Sequence, residues 1–318
     1  MKAIHGAPGP LAWRAVPDPV PGPGDATLRV RAAGVNRADL AQRAGRYPPP
    51  PGASEILGLE VAGEVLTAPE GSGWRPGDRA HALLAGGGYA ERAAVPVRML
   101  MPTPDGLTDV EAAALPEAHL TAFSNLVLEA GLRPGERALI HAGASGVGTA
   151  AILQARALGA EVATTSSGAK APLCRGLGAA WAFDRHDPAW PARLRDAWSG
   201  VDVILDPVGA ATTAANLELL DVGGRLVWIS TLGGREATLD VGVMMRKRLT
   251  VKGTTLRGRP LDDKIALRDA FQARFGADVA RGGLRLPIHA TFDVRHVEEA
   301  HAQLRANATA GKVVLTIP

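Results

Sequence analysis

The chain has 318 residues, of which 46% are hydrophobic and 21% charged, and its formal net charge at pH 7 is +3. This balance is typical of a folded globular protein long enough for two domains, and it argues against disorder and against a strongly basic nucleic-acid-binding surface. No apolar run approaches the roughly 20 residues that cross a bilayer, and Met1–His5 does not begin a signal peptide. A cytoplasmic protein without membrane contact is therefore expected. The single cysteine, Cys174, excludes an internal disulfide.

Residues 1–120 are rich in Gly and Pro and lack helical periodicity, which predicts a β-rich lobe. Its alternating apolar runs predict strands at Leu28–Ala33, Ile56–Leu66, Arg79–Leu84 and Glu91–Val95. The proline-rich segment Tyr47–Gly52 predicts a stiff loop, because proline fixes φ and restricts the residue before it, and such a loop can hold a side chain over a site. Between Asp109 and Ala130 the pattern becomes helical, with Thr108 as its N-cap, and the domain junction is expected there.

The next stretch reads Arg137-Ala-Leu-Ile-His-Ala-Gly-Ala-Ser-Gly-Val-Gly148 and predicts a nucleotide-binding turn. A buried strand at Ala138–His141 leads into three glycines, and Thr149–Leu158 has helical spacing. Without a Cβ the backbone can lie against a pyrophosphate, and the helix that follows offers free N–H groups and its positive dipole end. The glycines are spaced G-x-x-G-x-G rather than the usual G-x-G-x-x-G, so an ordinary strand–helix turn remains the alternative.

Downstream, strand-sized runs alternate with helical ones, which predicts a six-stranded parallel sheet with helices on both faces. With Ala138–His141, the strands are Glu161–Thr165, Ala180–Phe183, Val201–Leu205, Arg225–Ile229 and Leu249–Gly253. The remaining chain predicts a helix at Asp262–Phe275, a strand near Ile288–Phe292, a helix at Val294–Ala306 and a strand at Lys312–Ile317. The last strand is short and apolar, and we expect it to return to the first lobe.

Several separate stretches resemble those of a known family. They are Gly34-Val-Asn-Arg-Ala-Asp-Leu40, Pro50-Pro-Gly-Ala-Ser-Glu-Ile-Leu-Gly-Leu-Glu60, Gly86-Gly-Gly-Tyr-Ala90, Leu115-Pro-Glu-Ala-His-Leu-Thr-Ala122 and His141–Gly148. Together they resemble the medium-chain dehydrogenase/reductase superfamily, and within it the zeta-crystallin-like quinone oxidoreductases of the p53-inducible quinone oxidoreductase branch. The resemblance implies an α/β protein with a GroES-like β-rich catalytic domain, residues 1–121 and 285–318. It also implies a six-stranded parallel Rossmann domain that binds NADP, residues 122–284.

The residues argue against a metal site. Zinc-binding members of the superfamily need a Cys near Asn36 and a His before Glu60, since Zn²⁺ takes thiolate and imidazole ligands, but the latter position holds Leu59. A four-cysteine site is impossible with one cysteine. The eight histidines include no pair with ligand spacing. No metal is therefore expected.

The cofactor expected from the end of the second sheet strand is NADPH. The segment Ala163-Thr-Thr-Ser-Ser-Gly-Ala-Lys170 lacks the Asp or Glu that binds the ribose hydroxyls of NAD and would repel a 2′-phosphate. The resemblance assigns Ser166, Ser167 and Lys170 to that phosphate. Arg185 stands where the family often has Tyr, and its guanidinium can bind the phosphate and stack on the base. For Lys170 the alternative is an exposed lysine at a helix start.

The other candidate site residues also follow from the resemblance. The cofactor-binding set comprises Asn36, Tyr47, Thr121, Gly143, Ser145, Gly146, Val147, Gly148, Ser230, Thr231, Leu232, Gly233, Thr255, Leu256 and Arg257. Tyr47, Asn36 and Ser145 are the catalytic candidates, with Tyr47 bonding the substrate oxygen or covering the nicotinamide. The alternatives are a gap-filling aromatic for Tyr47, a turn residue for Asn36 and a helical hydroxyl for Thr121.

The function expected from these residues is an NADPH-dependent, zinc-independent quinone oxidoreductase acting on small quinones. One alternative is reduction of activated C=C bonds in enones or 2-alkenals, which uses the same hydride geometry. Another is an NADPH-responsive RNA-binding or sensor protein with little turnover, but no concentrated basic face supports it, and nucleic acid is not an expected partner. A homodimer is expected, because the family is usually dimeric and the sixth strand leaves an open edge.

Overall fold

The computed structural model describes all 318 residues, which form two compact units. The first contains residues 1–120 and 256–318, and the second contains residues 121–255. The strands up to residue 120 are β1 (Lys2–His5), β2 (Ala12–Ala15), β3 (Asp25–Val35), β4 (Glu60–Thr67), β5 (Arg79–Leu83), β6 (Arg92–Pro96) and β7 (Leu100–Pro102). The helices in this part are α1 (Arg37–Arg43), α2 (Asp109–Ala113) and α3 (Pro116–Phe123).

The second unit alternates strands and helices. Its strands are β8 (Arg137–His141), β9 (Glu161–Ser166), β10 (Trp181–Asp184), β11 (Val201–Asp206), β12 (Leu220–Trp228) and β13 (Thr250–Gly253). Its helices are α4 (Gly146–Ala157), α5 (Ala171–Gly176), α6 (Trp190–Ala197), α7 (Ala210–Leu219) and α8 (Val241–Lys247). The chain then forms α9 (Leu261–Ala280), β14 (Ile288–Asp293), α10 (Val297–Arg305) and β15 (Lys312–Thr316).

A seven-stranded sheet forms the core of the first unit. Its order is β14-β15-β3-β4-β5-β7, with β6 paired to β3, and every pairing except β14 with β15 is antiparallel. Buried residues alternate along the first part of β3, because a strand with one covered face repeats every two residues. Small side chains let α2 pack closely on this sheet, where Ala112 and Ala113 meet Ala32 and Ala62.

The second unit is built on a six-stranded parallel sheet of order β10-β9-β8-β11-β12-β13. This confirms the sheet predicted from the alternating apolar runs. Its central strands are apolar on both faces, and Leu139, Ala163, Ile204 and Leu226 belong to one buried cluster. The chain order 3-2-1-4-5-6 across the sheet places the carboxyl ends of β8 and β11 side by side.

The predicted helix over residues 109–130 is divided into three pieces. The Thr108 cap is confirmed, since its hydroxyl accepts a hydrogen bond from the Glu111 amide at 3.2 Å. However, α2 ends at Ala113, a separate helix α3 begins at Pro116, and Ser124–Glu129 is a π-helical turn. Proline has no N–H and is favoured in the first turn of a helix, so Pro116 separates two helices rather than continuing one.

The compact unit that contains residues 1–120 also takes in residues 256–318. The reason is that α9 packs within the first unit, where Phe271 stacks on His119 with ring centroids 5.6 Å apart. The guanidinium of Arg257, just before this helix, also bonds only to residues of that unit.

No helix of the structure combines the length and apolar character needed to cross a membrane.

Candidate active site

The glycine turn between β8 and α4 has the geometry of an anion-binding helix start. Ser145 is the N-cap of α4, and its Oγ accepts a hydrogen bond from the Gly148 amide at 3.0 Å. The Thr149 amide donates to the Ser145 carbonyl at 2.8 Å. Because the first turn of a helix leaves its N–H groups without intrahelical partners, the amides of Gly146 and Val147 remain for a ligand. The helix therefore starts inside the glycine run, three residues before the predicted Thr149.

Two of the three glycines are required by close backbone and side-chain approaches. A Cβ on Gly143 would lie 2.6 Å from Thr164 Cβ, and one on Gly148 would lie 2.3 Å from the Ala142 carbonyl oxygen. These glycines let the turn lie directly on β9 and keep the helix start close to the strand. A turn with two uncommitted amides fits the pyrophosphate of a dinucleotide, as the sequence predicted.

A buried polar network lies directly behind this turn, and the sequence did not indicate it. His141 shares hydrogen bonds of 2.8 Å with Thr165 Oγ1 and with Asn216 Oδ1, and Asn216 Nδ2 donates to Asp206 Oδ2 at 2.8 Å. Burial lowers the pKa of His141, although the Asp206 carboxylate opposes that shift. Asp206 also accepts from the amides of Val208 at 2.5 Å and Gly209 at 3.1 Å. The network fixes the carboxyl ends of β8, β9 and β11 relative to one another.

The candidate residues for a 2′-phosphate follow β9 as predicted. Ser166 is buried at the end of the strand and donates from Oγ to the Ser167 carbonyl at 3.1 Å, while Lys170 ends a single 3₁₀ turn. Arg185 is exposed, and its amide donates to the Ser166 carbonyl at 2.7 Å. The structure thus brings the predicted cations and hydroxyls to one edge of the sheet. Asp184, which pairs with Ser166 across the two strands, lies at the same edge. The Oδ2 atom of Asp184 would be 2.7 Å from a Cβ placed on Gly168.

The loops that follow β11 and β12 lie together at the same edge. The Gly233 amide donates to the Val208 carbonyl at 2.7 Å, and the Ala210 amide donates to the Gly234 carbonyl at 3.2 Å. Thr231, Leu232 and Gly233 are exposed there and Ser230 is half-buried. The predicted loop after β12 is therefore in contact with a loop, Pro207–Gly209, that the sequence had not singled out.

Thr121 and the residues after β13 occupy different environments. Thr121 Oγ1 is buried without a hydrogen-bond partner. Its carbonyl accepts from Asn125 Nδ2 at 2.7 Å, and Thr254 Oγ1 bonds Asn125 Oδ1 at 2.5 Å. Thr255 is exposed, whereas Leu256 is 8% exposed and Arg257 5% exposed. The predicted run Thr255-Leu256-Arg257 is therefore not one continuous accessible surface.

In the first unit, Asn36 is held by a buried ion pair. Lys312 Nζ lies 2.5 Å from Glu60 Oε1, and the side chains of both residues are almost fully buried. Lys312 also donates to Asn36 Oδ1 at 2.7 Å, and Asn36 Nδ2 donates to Glu60 Oε1 at 2.9 Å. Asn36 is at the same time the N-cap of α1. Both the oxygen and the nitrogen of the Asn36 side-chain amide are therefore bonded within the protein. These contacts are compatible with the alternative stated above, in which Asn36 is a turn residue.

The residues at the zinc-ligand positions do not fit a zinc ion. Leu59 is buried and has no donor atom, and the Asn36 amide is already bonded to Glu60 and Lys312. The ammonium group of Lys312 already lies against the Glu60 carboxylate, where a cation would have to bind. No group of three or more His, Cys, Asp or Glu side chains is arranged to hold a metal ion.

Tyr47 lies on the predicted proline-rich loop, half-buried beneath a guanidinium. The Arg257 Cζ is 5.5 Å from the centre of the Tyr47 ring, and Arg257 Nη1 donates to the Tyr47 carbonyl at 3.1 Å. Burial and the Glu117 carboxylate raise the pKa of the Tyr47 phenol, whereas Arg257 lowers it. The phenol therefore stays protonated and can donate a hydrogen bond at neutral pH.

Two carboxyl groups near this position have raised pKa values, and the sequence did not identify either as a site residue. Burial, followed by the charge of Glu60, raises the pKa of Glu117 to about 8. Burial raises the pKa of Asp39 to about 6, although it accepts from the Asn36 amide at 2.7 Å and from the Tyr89 hydroxyl at 2.8 Å. Perturbed carboxyls of this kind mark candidate functional positions, and the Leu115-Pro-Glu-Ala-His motif contained the only sequence signal for Glu117.

Two family models match the chain. The model described as alcohol dehydrogenase GroES-like domain matches residues 22–105, and the one described as zinc-binding dehydrogenase matches residues 146–271. A quinone oxidoreductase of Pseudomonas aeruginosa is 34% identical over 319 residues, which cover 98% of this chain and 97% of the relative. The fold and the glycine turn are those of an NAD(P)-binding dehydrogenase domain.

Solved structures agree with that class. The quinone oxidoreductase of Thermus thermophilus is 36% identical with a TM-score of 0.84, covering 99% of this chain and 100% of the other. The chain belongs to the medium-chain dehydrogenase/reductase superfamily, which includes quinone oxidoreductases, as the sequence motifs predicted.

Other relatives are far longer proteins. The spectinabilin polyketide synthase system protein NorB of Streptomyces orinoci is 37% identical over 306 residues, which are 93% of this chain. The chain spans only 5% to 14% of the lengths of this protein and of three other polyketide synthases that it matches. The CurK enoyl reductase is 26% identical with a TM-score of 0.87, covering 100% of this chain and 99% of that structure.

Proposed function

We propose that the protein is an NADPH-dependent oxidoreductase that reduces small quinones. The observation that carries this proposal is the match to quinone oxidoreductases along nearly the full length of both chains. The Thermus enzyme, whose structure is described together with its NADPH complex, is one of them. In this proposal the nicotinamide supplies the hydride, and the chain's own residues bind the cofactor and prepare the acceptor.

The cofactor would be held by residues of the second unit at the carboxyl ends of its parallel strands. The amides of Gly146 and Val147 bind the pyrophosphate, since Ser145 already satisfies the Gly148 amide. Ser167, Lys170 and Arg185 bind the 2′-phosphate at the carboxyl edge of β9 and β10. Ser230 and the loop through Gly233 follow β12, where ligands of parallel sheets bind.

On the acceptor, Tyr47 donates a hydrogen bond to the oxygen on which negative charge develops. Its raised pKa keeps the proton on the phenol at neutral pH. Asn36 has no donor left for this oxygen, because its Nδ2 already donates to Glu60 and to the Gly34 carbonyl while its Oδ1 accepts from Lys312. The oriented donor is therefore Tyr47. A donor that is already oriented needs no rearrangement when charge forms, which is the main way such groups accelerate a reaction.

The test is a panel of steady-state assays with ortho-quinones, para-quinones and enones, each with NADPH and with NADH. We expect the highest kcat/KM for a quinone with NADPH. Lys170→Ala should weaken NADPH more than NADH, because only NADPH carries the 2′-phosphate. A wild-type preference for NADH would contradict the roles given to Lys170 and Arg185, and faster enone reduction would favour the second candidate below.

The Tyr47→Phe variant tests the acceptor side. It removes one neutral hydrogen bond, so kcat/KM should fall by roughly tenfold without loss of turnover. Quinones accept electrons readily and water can supply protons, so activity should persist. A purified variant with wild-type kcat/KM would contradict the assignment of Tyr47.

A second candidate is reduction of an activated C=C bond. The similarity to the CurK enoyl reductase and to segments of polyketide synthases favours it. The same cofactor site would serve a conjugated carbonyl whose β-carbon accepts the hydride. In the assay panel this candidate predicts NADPH oxidation with enones or 2-alkenals at a kcat/KM above that for every quinone.

A further inference from the structure

The loop that carries Tyr47 has little structure of its own. Residues 44–59 contain neither helix nor strand. Pro48, Pro49, Pro50 and Pro51 have no N–H group, so this stretch donates no backbone hydrogen bonds. Only one hydrogen bond joins residues 47–51 to a residue outside the loop, and it is the bond from Arg257 Nη1 to the Tyr47 carbonyl. The position of Tyr47 therefore depends on Arg257.

The Arg257 guanidinium joins three separate segments of the first unit. In addition to Tyr47, its Nε donates to the Ala85 carbonyl at 2.8 Å and its Nη2 donates to Gln42 Oε1 at 2.8 Å. The planar group also lies over the Tyr47 ring. A guanidinium presents its donors in a rigid planar arrangement, so the bonds to Gln42 and to the Ala85 carbonyl define its place, and the third bond holds the Tyr47 backbone against it.

The acceptors and the backbone of Arg257 are fixed in turn. Gln42 lies in α1, and its Nε2 donates to the Glu55 carbonyl at 2.9 Å. Lys264 in α9 donates from Nζ to the Arg257 carbonyl at 2.6 Å. The guanidinium is thus held by α1 through Gln42 and by α9 through the Arg257 backbone, and Gln42 also bonds the far end of the same loop at Glu55.

We propose that Arg257 is the positioning residue of the Tyr47 loop, holding the tyrosine through its guanidinium rather than binding the cofactor as the sequence suggested. All three guanidinium nitrogens already have protein acceptors. Its influence on turnover rests on the proposed function of Tyr47, but its influence on the position of the loop does not.

The structural test uses the fact that the chain contains two tyrosines, Tyr47 and Tyr89. Protein labelled with 3-fluorotyrosine should give two ¹⁹F resonances, which Tyr47→Phe assigns. In Arg257→Met we expect the Tyr47 line to move toward that of an exposed tyrosine, while the line of the buried Tyr89 stays in place. Arg246→Met, an exposed arginine of the second unit, is the matched control and should change neither line.

In Arg257→Met, the pH dependence of the Tyr47 ¹⁹F resonance distinguishes two causes of a shift. One is release of the loop, and the other is loss of the positive charge while the loop stays in place. If the loop is released, the effects of burial and of Glu117 vanish and the phenol pKa falls toward that of free 3-fluorotyrosine. If the loop stays in place, removing the cation leaves those effects and the pKa rises further, and this result would overturn the proposal. Arg257→Lys keeps the charge without the planar donor arrangement, so full recovery of the wild-type line by lysine would also overturn it.

A second experiment measures kcat/KM, and its outcome depends on the proposed function of Tyr47. Arg257→Lys should lower kcat/KM on the order of tenfold, with little further effect in the Tyr47→Phe background, because the two residues act as one. Equal losses in both backgrounds would show that Arg257 does not act through Tyr47. If Tyr47→Phe alone has no effect on turnover, the proposed role of Tyr47 fails while the ¹⁹F result still decides the loop.

Gln42→Met provides a milder variant should Arg257→Met not fold. It removes only one of the three acceptors. The Tyr47 line should shift in the same direction by a smaller amount, and an unchanged line together with an unchanged phenol pKa would count against the proposal.

Discussion

At the scale of single residues, Glu117 makes stability depend on pH. Its pKa of about 8 lies above the usual 4.5, so the folded protein keeps a proton that the unfolded chain releases between these values. Where the folded state binds more protons, the free energy of unfolding falls as pH rises. The contribution of Glu117 is therefore lost progressively from about pH 4.5 to about pH 8.

The variant Glu117→Gln tests this dependence. Glutamine stays neutral, so the Tm of the variant relative to wild type should be higher at about pH 8.5 than at about pH 5. Glu70→Gln, an exposed carboxylate with no hydrogen bond, is the control and should show the same difference at both pH values. A constant difference for Glu117→Gln would show that its carboxyl is ionised in the folded protein across this range.

Asp184 is a second residue whose charge leads to a testable prediction. Its carboxylate lies next to Gly168, at the edge where the proposed 2′-phosphate contacts lie. In Asp184→Asn we expect the ratio of kcat/KM for NADPH to that for NADH to rise by roughly fivefold, because like charges about 4 Å apart in water repel by about 1 kcal/mol. Asp196→Asn, an exposed site of the same unit, should leave the ratio unchanged. An unchanged ratio in Asp184→Asn would place the phosphate elsewhere.

The site residues that could be predicted from the sequence are those whose contacts lie close to them along the chain. Ser145 and Gly148 belong to one local turn, so their pattern was readable. Lys312 and Glu60 are separated by 252 positions, and neither position shows that the other will supply its charge. Arg257 was assigned to the cofactor because it follows a sheet strand, whereas its partners Gln42, Tyr47 and Ala85 lie at least 172 residues away.

At the scale of elements, the strand–turn–helix unit β8-α4 depends on glycine for its shape. In Gly148→Ala the new Cβ would lie 2.3 Å from the Ala142 carbonyl oxygen, a backbone atom that cannot rotate away. We expect a loss of about 1–3 kcal/mol in unfolding free energy, as for other overpacked positions. NADPH affinity should fall as well, since the adjacent amides move.

The matched control is Gly176→Ala at the end of α5. A Cβ there would have no heavy atom within 4 Å, so the substitution should be neutral or stabilising. Urea unfolding of both variants gives the comparison. Equal stability of Gly148→Ala and wild type would mean that the turn relaxes at no cost.

The elements predicted best were those with several periods of pattern. The six sheet strands of the second unit and the 20-residue α9 were recognised because their apolar residues repeat many times. Helices α1 and α8 have seven residues each, less than two full turns each, and gave no readable period. The break after α2 was missed because the apolar residues continue on either side of Pro116.

At the scale of the whole molecule, β13 forms an edge of the parallel sheet. We propose, as the family resemblance implied, that this edge pairs with that of a second copy and that the protein is a homodimer. Light scattering should give twice the mass of one chain, independent of concentration over the micromolar range. A stable single-chain mass would contradict the pairing.

The order of the strands along the chain constrains how the first unit is assembled. Strand β15 lies between β14 and β3, so the seven-stranded sheet is incomplete until residues 312–316 have been synthesised. Residues 121–255 precede that strand and have their own core, so during synthesis they can fold while their host unit is still open. The strand that closes the sheet also delivers Lys312 to the buried Glu60. Completion of the sheet and the pairing of Glu60 with Lys312 are therefore the same event.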